Sequence, residues 1–164
     1  MRRLHALETL EDDFRGRPLV SFFGHCGSPP PPAQLAAERP SRVCGHCGLG
    51  LVLSAAPAVA PAIGEPFLVV DSTLSVCAVS AQAEELLQID ETRAVNRHIA
   101  DFLVPADANA PGADNLLVLL VDAAAGSGEP RTTVVRPREE FGVRFHARIG
   151  SCGPPHAALL VLTS

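Results

Sequence analysis

The residues with the clearest chemical potential are two thiols separated by two residues, Cys44 and Cys47, in the segment CGHCG. Thiolates at this spacing can both reach one tetrahedral zinc ion, because the glycines between and after them let the backbone turn tightly around the metal. The amides of such a loop can then point at the sulfurs and stabilise their charge. The spacing therefore predicts half of a zinc site.

A second segment upstream has nearly the same sequence. FGHCG, at residues 23–27, matches CGHCG at residues 44–48, with Phe23 standing where the first cysteine would be. The pair resembles a zinc ribbon that has lost one cysteine. We therefore expect Cys26, Cys44 and Cys47 to be three ligands of a structural zinc ion.

The sequence does not identify the fourth zinc ligand. His25 is the nearest candidate, although side chains of adjacent residues in extended chain point apart, so that His25 and Cys26 could share a metal only through a local twist. His5 and His46 are alternatives. A bound zinc would hold together a segment with little core of its own, through an apparent binding energy on the order of 10 kcal/mol.

Two other interpretations of these cysteines compete with zinc. The first is reduced thiols with no metal. The second is redox chemistry, for which a C-x-x-C pair should open a helix whose N-terminus lowers the thiol pKa. Here the sequence GLGL follows at residues 48–51 and favours a hairpin. The remaining cysteines, Cys77 and Cys152, fall on or beside predicted strands and are expected to be small buried side chains.

Composition sets the class of protein. The chain has 164 residues, enough for one ordinary domain and an appendage, with 47% hydrophobic residues and a formal net charge of −5. Acidic residues follow the first two arginines before any apolar run forms, which argues against a secretory signal. No apolar stretch reaches the ~20 residues that span a bilayer. We expect a cytoplasmic protein with no membrane partner, in which five cysteines favour metal binding over disulfides.

The second half of the chain opens with a recognisable order of elements. A strand at Phe67–Val70 ends at Asp71, a turn leads into a strand at Val76–Val79, and a small helix follows from an N-cap at Ser80. Residues 105–107 read Pro-Ala-Asp. This order resembles the first half of a PAS domain, the small sensory and protein-interaction module of signalling proteins, and the resemblance covers residues 65–164.

Later elements agree with an α+β fold. Residues 113–126 form the main helix, with Leu116, Leu119 and Leu120 on one side and Gly126 at its end. Strands follow at residues 131–137, at 142–150 with strict alternation, and at 157–162, where an apolar run predicts a central strand covered on both faces. We expect a PAS-like five-stranded antiparallel sheet with helices on one face.

The predicted organisation has three parts. Residues 1–54 form a zinc-ribbon-like segment, residues 55–64 a linker rich in small residues and proline, and residues 65–164 the PAS-like domain. The PAS resemblance implies a non-catalytic module that binds a small apolar ligand between sheet and helices, or that binds a protein partner or a second copy of itself through the exposed sheet face.

The sequence lacks the motifs by which PAS domains bind flavin covalently or haem through the main helix. Members that bind flavin covalently carry a cysteine in an Asn-Cys-Arg-type motif, which is missing, and the main helix offers no axial histidine for haem. His98 and His146 remain as candidate axial ligands, but we expect each to be a histidine at the surface or beside a site rather than a ligand. No nucleophile constellation or phosphate-binding loop is present, so an enzyme is not expected.

The alternative function is a small zinc-ribbon transcriptional regulator that contacts nucleic acid or the transcription machinery, with the second half as a dimerisation scaffold. Arg39 and Arg42 flank the C-x-x-C pair, and Arg144 and Arg148 line one strand face. The net acidity and the scarcity of aromatic residues argue against nucleic-acid binding.

Overall fold

The computed structural model describes residues 18–37, 43–45, 47–48, 51–107, 115–126 and 129–164. Its strands are β1 Val20–Phe23, β2 Val52–Ala55, β3 Phe67–Val70, β4 Val76–Val79, β5 Leu103–Pro105, β6 Arg131–Pro137, β7 Phe145–Gly153 and β8 Ala157–Thr163. Its helices are α1 Pro32–Leu35, α2 Ala81–Leu87, α3 Glu91–Ala94 and α4 Leu116–Ala124, with a 3-10 turn at Ile99–Asp101. No helix in these ranges is long and apolar enough to cross a membrane.

All the strands pair antiparallel in one sheet. The five predicted strands lie side by side in the order β4, β3, β8, β7, β6, with α2, α3, the 3-10 turn and α4 between β4 and β6 in the chain. The α+β prediction is therefore confirmed. The described sheet has eight strands rather than five, because β5 pairs with β6 and the hairpin of β1 and β2 joins at β7.

Strand β7 accounts for the attachment of the hairpin. It begins at Phe145, three residues later than predicted, and continues to Gly153. One edge of β7 pairs with β6 over the first five residues, and the same edge then pairs with β2 through Cys152 and Gly153. The part of β7 that extends beyond its pairing with β6 thus provides the backbone groups that pair with β2 of the N-terminal hairpin.

The sheet and the helices enclose the main hydrophobic core on one face. Alternating residues of β3, β7 and β8 point into it, among them Phe145, Ala147 and Ile149, as the period of β7 predicts. Leu116, Leu119 and Leu120 of α4 pack against the same face, also as predicted. Side chains in this core are at or close to full burial.

The opposite face of the sheet carries a second apolar cluster. Strands β3 and β8 contribute alternate residues to it, which explains why both strands are continuous apolar runs. The N-terminal part of the chain contributes Phe22, Leu53 and Val59. The rings of Phe22 and Phe67 meet edge to face with centroids 5.4 Å apart. The N-terminal hairpin therefore shares a core with the sheet.

Residues 55–64, predicted as a linker, cross this second face. Val59 is fully buried there and lies against Gly150 of β7. Glu65, which follows the segment, accepts hydrogen bonds from the Arg148 guanidinium at 2.8 and 3.2 Å. A further bond from Arg148 to the Ala60 carbonyl, 3.4 Å long, holds the segment at a third point.

The predicted cap at Ser80 is confirmed, and Asp90 caps the next helix. The hydroxyl of Ser80 accepts from the Ala83 amide at 3.2 Å and from the Phe67 amide of β3 at 2.9 Å, so one buried side chain begins α2 and fixes it to the sheet. The Asp90 carboxylate accepts from the Thr92 amide at the start of α3.

Asp71 ends β3 in the way that the sequence motif implies. Its Oδ1 accepts from the amide and the hydroxyl of Thr73, at 2.8 and 2.7 Å, and from the Ser75 amide at 3.1 Å. These bonds keep the pKa of the Asp71 carboxyl below its usual value, although partial burial acts in the opposite direction and is the largest single influence. The carboxylate closes the turn between β3 and β4.

Candidate metal centre

Three cysteine sulfurs lie together beside the N-terminal hairpin. The Sγ atoms of Cys26, Cys44 and Cys47 are all within 4.8 Å of one another, and those of Cys26 and Cys44 are 3.6 Å apart. Zinc–sulfur bonds of about 2.3 Å in tetrahedral geometry place two sulfurs about 3.8 Å apart. The three predicted cysteine ligands thus have a spacing that a single zinc ion could bridge.

The first knuckle, residues 23–27, continues directly from β1. The Gly27 amide donates to the Phe23 carbonyl at 2.9 Å, and Gly27 has a φ of +71°. A Cβ on Gly27 would lie 3.3 Å from the ring of Phe67, so both the backbone angle and the close approach favour glycine here. The Gly24 amide donates to the Leu51 carbonyl, which joins the knuckle to the other side of the hairpin.

The second knuckle, residues 44–48, lies between Val43 and Leu51, just before β2. Val43 and Leu51 form an antiparallel bridge, which brings the two ends of the loop together. The Gly48 amide donates to the Cys44 carbonyl at 2.9 Å. Cys44 is buried, with 1% exposure, whereas Cys47 is partly exposed. The sequence repeat therefore corresponds to two loops that bring their cysteines to one place.

His25 is oriented differently from the three cysteines. No atom of His25 belongs to the sulfur group, and its Nδ1 lies 3.9 Å from Oε2 of Glu91. That carboxylate oxygen also accepts from the Val79 amide at 2.8 Å. The His25 carbonyl accepts from the Ala81 amide at the start of α2. These contacts dock the first knuckle against α2 and α3, and His25 as a fourth ligand stays a prediction.

Sequence reasoning missed Glu91 as a neighbour of the site. The sequence spacing does not relate Glu91 to His25, because their contact depends on how β3, β4 and α2 pack in the folded chain. The other histidines considered as fourth ligands, His5 and His46, lie outside the described residues.

A cavity of about 240 Å³ lies on the hairpin side of the sheet. Its lining is mostly apolar and includes Leu51 and Leu53 of the hairpin, Val69 of β3 and Ala157 of β8. A small apolar ligand, if one binds, has room here.

The two cysteines outside the cluster differ from each other. Cys152 is buried, as expected, and burial raises the pKa of its thiol to about 12. Cys77 is exposed, contrary to the expectation of a buried side chain, because it points away from the core on edge strand β4. Partial burial and the charge of Asp71 still raise the pKa of Cys77.

The two described arginines that were considered for nucleic-acid contact, Arg144 and Arg148, have acidic partners. Arg144 donates to the Asp107 carboxylate at 2.9 Å, and Arg148 is paired with Glu65. Arg39 and Arg42 lie outside the described residues. The strand face on which the nucleic-acid hypothesis depends is thus neutralised locally.

A scan against models of protein families and a search of curated proteins each find no match to this chain. Among solved structures, the PAS domain of nitrogen regulation protein NR(II) from Vibrio parahaemolyticus aligns with a TM-score of 0.45 and 15% identity, over 62% of this chain and 89% of that one. The PAS domain of an HTR-like protein from Haloarcula marismortui aligns with a TM-score of 0.43 and 15% identity, over 60% and 79%.

A chain of the E. coli DhaR(N)–DhaL complex aligns with a TM-score of 0.42 and 17% identity, over 63% of this chain but only 32% of that one. This chain therefore spans about a third of that protein. With identities and scores this low, the matches by themselves assign neither a fold nor a function, and the architecture rests on the strand order described above.

Proposed function

We propose that this chain is a non-catalytic PAS-type sensory or protein-interaction module whose N-terminal hairpin is held by a structural zinc ion. The observation that carries the proposal is the order of elements in one antiparallel sheet: β3 and β4, then helices on one face, then β6, β7 and β8. The resemblance carried by Asp71 and residues 105–107 covers the first half of this order, and the strands after the main helix are expected from their hydrophobic pattern.

The zinc component is supported by the sulfur cluster and by what surrounds it. Cys26, Cys44 and Cys47 come from two loops, and neither Cys44 nor Cys47 belongs to either of the two apolar clusters of the sheet. Gly45 and Gly48 stand in open space, since a Cβ on either would meet nothing within 4 Å. A metal bridging the two loops would hold them together.

The surface proposed to bind a partner differs from the one predicted from the sequence. The sheet face expected to bind a partner is covered in part by Phe22 and Leu53 of the hairpin and by Val59 of the segment that follows it. The hairpin in turn exposes Val43 and Leu51, which are adjacent across a β-bridge and 48% and 51% exposed. In the proposed module a protein partner, or a second copy of this chain, contacts this hairpin.

Metal analysis of the protein purified under a phosphine reductant tests the zinc component. We expect one zinc ion per chain, no absorption band of haem or flavin, and a lower melting temperature after chelation, because zinc binds the folded state. Cys26→Ser should lose the metal, while Cys77→Ser, which alters an exposed thiol outside the cluster, should keep it. Metal-free protein whose stability is unchanged by added zinc would refute this component.

Sedimentation velocity tests the interaction component in its simplest form, a homodimer. We expect the wild type to associate as its concentration rises and Leu51→Asp to remain monomeric, because a carboxylate at the centre of the exposed pair opposes burial. A wild type that is monomeric throughout the range would exclude the second copy as the partner. The zinc result is independent of this outcome.

A further inference from the structure

The cavity on the hairpin side of the sheet has an apolar floor. Its volume is about 240 Å³, and its lining includes Leu53 of β2, Val69 of β3 and Ala157 of β8, which are 8%, 2% and 5% exposed. An apolar cavity of about 150 Å³ is large enough to bind benzene. In proportion, this cavity has room for about ten non-hydrogen atoms, which is one ring with a short substituent.

The rim of the same cavity is acidic. Asp71, in the turn after β3, and Glu91, at the start of α3, are half-buried residues of the lining. The hydrogen bonds that Asp71 accepts all end on Oδ1. Oε2 of Glu91 accepts from the Val79 amide and lies 3.9 Å from Nδ1 of His25. Oδ2 of Asp71 and Oε1 of Glu91 are outside these contacts.

An apolar floor below a carboxylate rim matches a molecule with an apolar ring and a cationic group. Among the described residues, the other ionisable members of the lining are Cys77 and His156, and neither carries a permanent positive charge. We propose that this cavity binds a small aromatic amine, with the ring on the apolar floor and the ammonium group between Asp71 and Glu91. An ammonium group can donate charge-assisted hydrogen bonds to both carboxylates.

The proposal names the class of ligand for the sensory role proposed above, and it rests on that role. The cavity connects separate parts of the chain, because Gly24 and Leu51 line it from the N-terminal region and Glu91 lines it from α3. Leu51 and Cys77 are exposed members of the lining, so a ligand can enter beside them. A bound ligand would therefore cover the Cys77 thiol.

Calorimetric titration of the full, zinc-loaded chain with three probes of related structure tests the class of ligand. Phenethylamine has the ring and the cation, phenethyl alcohol has the ring without the charge, and butylamine has the cation without the ring. We expect phenethylamine to bind with a Kd between about 1 µM and 1 mM, the range open to a ligand of this size. The alcohol should bind about tenfold more weakly or worse, because it lacks the charged hydrogen bonds. Butylamine should also bind more weakly, because it leaves the apolar floor uncovered.

Two isosteric variants test the rim. Asp71→Asn and Glu91→Gln keep an oxygen that can accept the existing hydrogen bonds but remove the charge. Each should weaken phenethylamine binding by about three- to tenfold and leave the affinity for phenethyl alcohol unchanged. Glu85→Gln is the matched control: it removes a carboxylate of α2 that is outside the lining, and it should bind phenethylamine as the wild type does.

Protection of Cys77 gives a measurement that needs no variant. Saturating phenethylamine should slow the iodoacetamide labelling of Cys77 several-fold, as followed by peptide mass spectrometry, whereas the anion phenylacetate should not. Equal affinities for the amine and the alcohol, unchanged labelling of Cys77, or no binding at millimolar concentration would overturn the inference. A loss in Glu85→Gln as large as in Asp71→Asn would overturn it as well. Metal analysis and sedimentation decide the zinc and interaction components of the proposed function separately.

Discussion

The contact between Val59 and Gly150 gives a direct test of whether residues 55–64 pack on the sheet. A Cβ on Gly150 would lie 2.9 Å from Cγ1 of Val59 and 3.1 Å from both its Cβ and its Cγ2. Rotating the valine cannot relieve this clash, because its Cβ is itself too close. In Gly150→Ala the segment must therefore move away from β7, or the strand must bend.

The expected cost follows from two opposing effects. Overpacking of a tight core costs about 1–3 kcal/mol. Replacing a strand glycine by alanine recovers about 0.5–1 kcal/mol of backbone free energy. We expect Gly150→Ala to lower the free energy of unfolding by about 1–2 kcal/mol, and the melting temperature by roughly 2–8 °C for a chain of this size. Gly142→Ala, where a Cβ meets nothing within 4 Å, should change stability by less than about 0.5 kcal/mol.

A double-mutant cycle measured by urea denaturation completes the test. Val59→Ala removes both γ-methyl groups and costs about 2 kcal/mol as a single change in a buried site. In the double variant the methyl group that Gly150→Ala introduces fills part of the space, so the two costs should not add, with a coupling of about 1–2 kcal/mol. Additive effects, or a Gly150→Ala variant as stable as the wild type, would show that the segment does not rest on the sheet.

Three further predictions concern single side chains. Ser80→Ala should cost about 2–3 kcal/mol in chemical denaturation, because two buried amides lose their acceptor; a loss below about 0.5 kcal/mol would contradict the bridging cap. Glu65→Gln should destabilise by less than about 1 kcal/mol at neutral pH. The Arg148 hydrogen bond holds the pKa of Glu65 below its ordinary value of 4.5, so the difference from wild type is complete above pH 4.5 and disappears as pH falls through the lowered pKa. Cys152 should resist iodoacetamide at neutral pH until the protein unfolds, since its pKa is about 12, and early labelling in peptide mass spectrometry would argue against its burial.

The strands that can be predicted most accurately are those with clear local boundaries. Strand β3 ends at Asp71, whose carboxylate closes the turn, and β6 ends at Pro137, as the sequence predicts. The sequence places the start of β7 too early because the alternating pattern begins at Val143, although pairing with β6 begins only at Phe145. Its continuation to Gly153 depends on pairing with β2, which no local pattern in the sequence encodes.

The grouping of the three cysteines could be predicted from the repeated sequence motif, but the residues that pack around them could not. Two copies of Gly-His-Cys-Gly predict two similar turns, because each requires a glycine with positive φ after the cysteine. The position of His25 against Glu91 depends on how the knuckle docks on α2 and α3. The burial of Val59 similarly depends on Gly150, a residue whose importance lies in the absence of a side chain.

The apolar packing of the N-terminal part and the proposed zinc act at different places, and this limits what zinc could control. Phe22 and Leu53 are buried against the sheet, and each fully buried side chain of this kind contributes about 1.5–3 kcal/mol without any metal. Among the described residues of the second knuckle, neither Cys44 nor Cys47 belongs to the apolar clusters of the sheet. Metal loss would therefore loosen the loop that carries Val43 and Leu51 while β1 and β2 stay on the sheet. A signal passing through the metal would change the hairpin's outer surface and would not uncover the sheet face beneath it.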